Sequence, residues 1–273
     1  MKRLFYFKKM INIDSLTSDL DLVRQQSPLI HNITNYVVMN NTANALLAIG
    51  ASPVMIHAMD EVAEMAAIAS ALVLNIGTIE SSWLDAMLIA GKSAHSNGKP
   101  IVFDPVGAGA TAYRIKASKQ IIEECKPSII RGNASEIMAL CNSNIKTKGV
   151  DSTTSSDLAL SSAKELAKAS GAIVVISGET DYITDGLVVE YVKNGTPMME
   201  RVTGLGCTAT AIVAAFAAIN PNMLAAATHA MAVMGICGEI AEKKSRGSGS
   251  LQVNFLDELY LLDEETIKKT IKL

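Results

Sequence analysis

Aromatic side chains are scarce in this chain, 4% of 273 residues with a single tryptophan, so its core has to be packed from small aliphatic groups. Paired cysteines are missing too. Cys125, Cys141, Cys207 and Cys237 form no Cys-x-x-Cys unit, and no histidine stands at metal-ligand spacing. That speaks against a zinc framework or disulfides and fits a reducing cytoplasm. No Lys/Arg cluster is interleaved with aromatics and the net charge is −3, which argues against a general nucleic-acid binder. The apolar stretches 209–219 and 224–240 are interrupted by Thr210, Thr228 and His229. Both fall short of the ~20 residues a membrane span needs, so they are expected as buried helices. No stretch rich in Pro, Gly or Ser divides the chain, and no repeat is present. One domain over 14–273 is therefore expected, after a loose leader at 1–13 in which Met10 is an alternative start to Met1. The apolar patch 4–7 is too short for a signal-peptide core.

What is present is apolar and rhythmic. Apolar residues make up 49% of the chain and charged ones 19%, enough for a substantial buried core. Short β-rich runs at 53–57, 72–76, 101–104, 128–131 and 172–177 alternate with helical patterns at 41–49, 61–69, 80–96, 115–124 and 157–169. That rhythm predicts an α/β fold with a mostly parallel sheet and helices on both faces. Asp185-Gly186 predicts a hairpin turn between 182–185 and 187–192. The polar run 146–156 reads as a surface loop, and the last third as helices at 205–219, 222–242 and 254–262.

Residues 202–208, Val-Thr-Gly-Leu-Gly-Cys-Thr, describe a tight loop entering a helix. Backbone N–H groups and the positive end of the helix dipole then point at one spot, a site for an anion and above all for phosphate. The loop suggests phosphoryl transfer, although an ordinary glycine-containing helix entry has the same sequence signature. Cys207 sits in that turn, where a base beside an acceptor hydroxyl would be wanted. A helix N-terminus lowers a thiol pKa, so a thiolate is expected, with a small pocket-lining residue as the alternative.

Ligands of open α/β sheets bind beyond the carboxyl ends of the strands. This gathers four polar clusters on one edge, at 75–78, 104–109, 131–136 and 177–180. Asp104 is either a carboxylate near phosphate or magnesium, or a turn former before Pro105. Asn133 and Glu136, three residues apart, share a helix face. Glu136 suits Mg²⁺, or simply the dipole of a first helical turn. Arg131 can fork onto a phosphate or pair with a surface acid. Ser177 and Gly178 can approach a nucleotide phosphate or form a plain strand exit. His229 reads as a satisfied core histidine. Asn32, Asn35, Asn40, Asn41 and Asn44 are more amides than helix caps require, which suggests a polar ligand surface.

Together these residues resemble the hydroxyethylthiazole kinase family of the ribokinase-like superfamily. The resemblance runs from about residue 14 to 260. His31-Asn-Ile-Thr-Asn35, Thr42-Ala-Asn44, Gly50-Ala-Ser-Pro-Val-Met55 and Leu74-Asn-Ile-Gly-Thr78 carry its first half. Asp104-Pro-Val-Gly-Ala-Gly-Ala-Thr111, Arg131-Gly-Asn-Ala-Ser-Glu136 and Val202-Thr-Gly-Leu-Gly-Cys207 carry its second. It implies ATP- and Mg²⁺-dependent phosphorylation of the primary hydroxyl of 4-methyl-5-(2-hydroxyethyl)thiazole, in thiamine salvage. It implies that Met55, Gly204, Asn35 and Gly77 bind the thiazole alcohol and that Arg131, Ser177, Asp104 and Asn133 contact ATP. Glu136 and Asp104 would sit near the metal. Cys207 would assist catalysis from the place where most ribokinase-like enzymes carry an aspartate. A homotrimer is implied, with active sites between subunits and Met55 facing a neighbour's site.

Departures are modest. Ser177 replaces a frequent Thr and keeps the hydroxyl, Leu205 stands where a smaller residue is usual, and 247–250 replaces a Gly-Pro-Gly-Ser turn. Other ribokinase-like activities usually carry Asp in the Gly-x-Gly turn, so Cys207 argues against them. A non-catalytic sensor need not keep Glu136, Arg131 and Cys207. A cysteine acyl transferase lacks a histidine partner.

Overall fold

The computed structural model describes residues 11–141 and 156–272. The expected loop at 146–156 falls almost wholly outside these residues, as does most of the leader, including Met10. Ile11 and Ile13, at the leader's end, pack against the core.

The chain opens with α1 (Ile13–Gln26), where the Asn12 side chain accepts from the Asp14 and Ser15 amides. That cap turns Leu16, Leu20 and Val23 inward at helical spacing. Next come β1 (Leu29–Ile33), α2 (Met39–Ile49), β2 (Ser52–Val54), α3 (Val62–Ile68), β3 (Ala71–Asn75) and α4 (Ser81–Ser96). The middle continues with β4 (Ile101–Asp104), α5 (Ala112–Cys125), β5 (Ile129–Asn133), α6 (Ala134–Cys141), α7 (Ser156–Ser170) and β6 (Ile173–Ser177). A hairpin, β7 (Asp181–Thr184) and β8 (Val189–Val192), turns at Asp185-Gly186, and a 3-10 turn spans Pro197–Arg201. The last third is α8 (Leu205–Ile219), α9 (Met223–Lys244), α10 (Ser248–Leu261) and α11 (Glu264–Thr270).

The strands form one sheet in the order β2-β1-β3-β4-β5-β6-β7-β8. Pairs from β2 through β6 are parallel, and only the β6–β7 and β7–β8 pairs are antiparallel. Alternate side chains feed two cores, as a sheet covered on both faces requires. Ile30, Val73, Val102, Ile129 and Val175 point into a core shared with α1, α2 and α8 to α11. Ile33, Leu72, Leu74, Phe103, Ile130 and Val174 point into the opposite core, under α3 to α7.

Expected elements appear in the expected order, with ends shifted by a few residues. Three were not expected: α1, β1 and α11. The helix expected at 254–262 begins earlier, at Ser248, where the Ser250 hydroxyl takes the Gly247 amide. Among the described residues α9 is the one helix long and apolar enough to cross a membrane, and 78% of its apolar window is buried inside the fold. This is the buried helix expected from the broken stretch 224–240.

Candidate active site

The carboxyl ends of β1, β3, β4, β5 and β6 deliver polar groups to one edge, facing the N-terminus of α8. Asn75 and Asp104 are register partners across β3 and β4. The Asn75 amide donates to Asp104 Oδ2 at 2.9 Å, and the Thr210 hydroxyl donates to the same oxygen at 2.7 Å. Asn75 Oδ1 accepts from the Asn35 amide and from the Gly77 N–H, each at 2.9 Å. Asn35 Nδ2 also lies 3.4 Å from Cys207 Sγ. An unbroken amide chain thus joins Cys207 to Asp104. Asn35 lies over Gly77, where a Cβ would come within 2.8 Å of it.

Gly204 caps α8 with φ +88°, in the left-handed region, and a Cβ there would stand 2.6 Å from Val38 Cγ1. Only glycine suits that position. Thr208 makes the first intrahelical bond of α8, to Gly204 O at 2.8 Å. The amides of Leu205, Gly206 and Cys207 therefore precede the helical ladder and have no carbonyl of their own helix to bond. The Arg131 guanidinium comes down beside this turn. A Cβ on Gly206 would sit 3.0 Å from Arg131 Nη1. Arg131 Nη2 donates to Ser177 Oγ at 2.5 Å, and Nη1 lies 3.9 Å from Asp104 Oδ2. Arg131 is 9% exposed and Asp104 1%.

Burial pushes the Asp104 carboxyl up to about 6, Arg131 opposes the rise, and the Glu136 charge adds to it. Asp104 Oδ1 and Arg131 Nε are both buried without a partner. Glu136 accepts the Gly107 N–H on one oxygen and the Asn133 N–H on the other, both at 2.8 Å. Asn133 Oδ1 in return accepts the Glu136 N–H at 2.9 Å and the Ser135 hydroxyl at 2.7 Å. The pair is a reciprocal cap on α6, and it holds a second carboxylate close to Asp104.

Cys207 departs from expectation. Its thiol is pushed up to about 11, first by burial and then by the Asp104 charge, while Asn75, Asn35 and Arg131 only partly compensate. Burial, with the Asp104 charge beside it, disfavours the anion. The group at neutral pH is a thiol, not the thiolate that the turn suggested. Met55 stands just past β2, at the same edge of the sheet, with one strand between it and β3.

Four further residues belong to the constellation. Asn75 and Thr210 orient Asp104. Arg114 donates to the carbonyls of Ile76, Val106 and Gly77, tying the β3 and β4 exits together. Asp181 takes the Gly178 N–H at 3.0 Å, and burial pushes its carboxyl up to about 7 despite Arg131. A polar residue at a strand end marks Asn75 and Asp181 in the sequence. Thr210 is legible only as one helical turn beyond Gly206.

The fold is that of the ribokinase-like class. A ribokinase-like superfamily protein from Enterococcus faecalis V583 superposes over 100% of both chains with a TM-score of 0.66 at 12% identity. More particularly, a sequence profile of the hydroxyethylthiazole kinase family matches residues 20–265, and the chain belongs to that family. The hydroxyethylthiazole kinase of Leptospira biflexa serovar Patoc is 56% identical over 253 residues, 93% of this chain and 95% of its own. A solved hydroxyethylthiazole kinase protein structure from Pyrococcus horikoshii OT3 has a TM-score of 0.88 at 40% identity, covering 95% of this chain and 98% of that one.

Proposed function

We propose that this chain transfers the γ-phosphoryl group of ATP to the primary hydroxyl of 4-methyl-5-(2-hydroxyethyl)thiazole, releasing ADP. The observation that carries this reading is the approach of the buried Arg131 guanidinium to Gly206 in the first turn of α8. Fixed N–H groups, a helix N-terminus and a forked cation there face one small volume. Phosphoryl transfer leaves little covalent work for the protein, so alignment and charge neutralisation dominate. In this reading the amides of 205–207 and Arg131 take the charge on the equatorial oxygens. Ser177 orients Arg131, and Asn133 lies on the nucleotide side. Asn35, Gly77, Gly204 and Met55 bound the acceptor, and Cys207 lies against its hydroxyl as a neutral thiol.

Magnesium fits the carboxylates present. Asp104 offers a buried oxygen with no partner, and Glu136 stands close enough to raise its pKa. No cluster of three or more His, Cys, Asp or Glu side chains suited to a metal occurs among the described residues. Mg²⁺ commonly uses one or two carboxylates and completes its shell with water and substrate phosphates, which suits such a sparse donor set. When bound it would supply Lewis acidity toward the phosphates.

A homotrimer in the cytoplasm completes the reading. Its folded unit includes 11–13, since Asn12 caps α1 and both Ile11 and Ile13 pack on the core, and so begins earlier than the expected residue 14. Exposed apolar side chains on elements flanking the β2 edge support an assembly: Tyr36, Val37, Leu47, Met59 and Ile68. The test of function is ATP consumption with Mg²⁺, with and without the thiazole alcohol, beside hydroxymethylpyrimidine and pyridoxal. Turnover with the thiazole alcohol alone is expected. Turnover with another alcohol would overturn the acceptor assignment, and thiazole binding without turnover would turn the reading to a sensor.

A further inference from the structure

Between the end of β2 and the turn before α3 the chain has no regular structure over 55–58. This strap carries Met55, and two side chains outside it fasten it. The first is His31, in the middle of β1 and 0% exposed. Its Nε2 lies 2.7 Å from the carbonyl oxygen of Ile56. A carbonyl only accepts, so Nε2 carries the proton and Nδ1 is left as a lone pair. Nδ1 is buried with no partner. Burial also holds the His31 pKa below its ordinary value, which keeps this neutral tautomer. As mere filler an aliphatic side chain would be better here, because a buried unsatisfied nitrogen is costly. What the imidazole adds is one directed hydrogen bond to the strap.

The second fastener is Trp83, in the first turn of α4 and 3% exposed. The His57 ring lies 4.6 Å from the Trp83 ring at 32°, and the Tyr36 ring meets Trp83 at 4.7 Å and 53°. Tyr36 directly follows Asn35, and its N–H donates to Thr78 Oγ1 at 3.2 Å. The strap is therefore locked both to the sheet and to the loops that carry Asn35 and Gly77.

We propose that His31 and Trp83 are positioning residues for the acceptor alcohol, fixing the 55–58 strap so that Met55 presents a rigid apolar wall to it. The proposal rests on the assignment of the site as a thiazole-alcohol kinase. It holds whether Met55 closes its own site or a neighbour's, because the fasteners decide where the strap stands.

The test is steady-state kinetics with each substrate varied in turn, for wild type, His31→Leu, His31→Gln and His57→Ala. His31→Leu is expected to raise KM for the thiazole alcohol about tenfold, the size of one lost hydrogen bond. Its KM for ATP is expected to stay within about twofold of wild type, since only acceptor binding loses a contact. His31→Gln keeps an N–H that can reach Ile56 and is expected to recover most of the loss. His57→Ala alters an exposed ring and is expected to raise the acceptor KM about threefold, the size of one aromatic contact. Equal shifts in both KM values, a fall in kcat alone, or no shift in any variant would overturn the proposal. If His31→Leu fails to fold, the rescue by His31→Gln and the shift in His57→Ala decide it. A wild-type protein without thiazole-dependent ATP turnover would instead sink the kinase assignment, and the positioning role with it.

Discussion

The two halves of the site edge differ in the chemistry they present. At the ends of β1 and β3 the groups are neutral: Asn35, Asn75, the Gly77 amide and, against them, the Cys207 thiol. At the ends of β4, β5 and β6 they are charged: Asp104, Arg131, Glu136 and, beyond, Asp181. The neutral half is wired by amide-to-amide bonds, which orient groups without placing a formal charge in the interior. The charged half keeps Asp104 and Asp181 near one guanidinium, both pushed well above the ordinary carboxylate range, with Glu136 close to Asp104. The difference suits the proposed pair of substrates. An uncharged alcohol meets a wall whose burial costs no ion solvation, and a polyphosphate with its metal meets ionisable groups held in reserve. Asn75 joins the halves, touching Asn35 on one side and Asp104 on the other.

The sharpest way to break this division is at the turn that serves both halves. Gly204→Val puts a β-branched residue at positive φ and against Val38. Turnover is expected to fall by more than about a hundredfold, comparable to losing an oxyanion donor. Unchanged kinetics would mean the phosphate does not sit on that turn. Next is Arg131→Ala, expected to cut kcat/KM for ATP about a hundredfold while KM for the acceptor moves little. Arg131→Lys should restore only part, because an ammonium cannot fork. Equal loss toward both substrates would dissolve the distinction between the halves.

Asp104→Asn separates stability from activity. Because burial raises this carboxyl to about 6, its ionisation works against folding as pH rises from about 4 toward 6. The wild type thus loses that increment above pH 6, and the amide does not. The variant is expected to be more stable at pH 8 by about 1–2 kcal/mol, a gain of a few degrees in Tm. The gain should shrink through pH 4 and vanish only below about pH 3, where the carboxyl is protonated in both states, and turnover of the variant should be lost. A lower Tm for the variant at pH 8 would show Asp104 to be a stabilising ion-pair member. The smallest effects belong to Cys207. Cys207→Ala is expected to lower turnover about tenfold, while Cys207→Asp keeps or raises it. Alkylation of the wild-type thiol at pH 7 should be slow and accelerate toward pH 11, since burial and Asp104 disfavour the thiolate. Rapid labelling at pH 7 would restore the thiolate.

Legibility in the sequence followed the same physics. The parallel strands β3, β4 and β6 announce themselves because both their faces are buried, so short apolar runs such as Ala71–Asn75 stand out. β1, Leu29–Ile33, carries His31 and Asn32 in the middle of an apolar run, and those buried polar groups hide it as a strand. His31 meets the Ile56 carbonyl and Asn32 Nδ2 donates to the Ile30 carbonyl, tertiary and local partners that an apolar pattern does not announce. α1 is hidden differently: its exposed face is so polar that Leu16, Leu20 and Val23 alone mark it. The positions of the turn before α8 and of Asp104, Arg131, Glu136 and Ser177 at one edge of the sheet were readable from glycines and polar residues that follow apolar runs. Their connections were not, because Asn75 meets Asp104 only through strand register. Thr210 reaches Asp104 only across a sequence separation of 106 residues. The choice between thiolate and neutral thiol was open for the same reason, since the burial of Cys207 and the nearness of Asp104 both come from tertiary packing.

The apolar helix α9 has a consequence for how the chain is made. Its 22 residues pass the composition test for a membrane span and yet are wrapped by protein. Until α8 and α10 close over it, a nascent chain carries a long apolar segment without its cover. The cover on one side comes later in the sequence, so α10 has to be synthesised before α9 is fully protected. The order of synthesis therefore leaves α9 in need of rapid tertiary cover, and shortening the chain before α10 would turn a core element into a surface that seeks company.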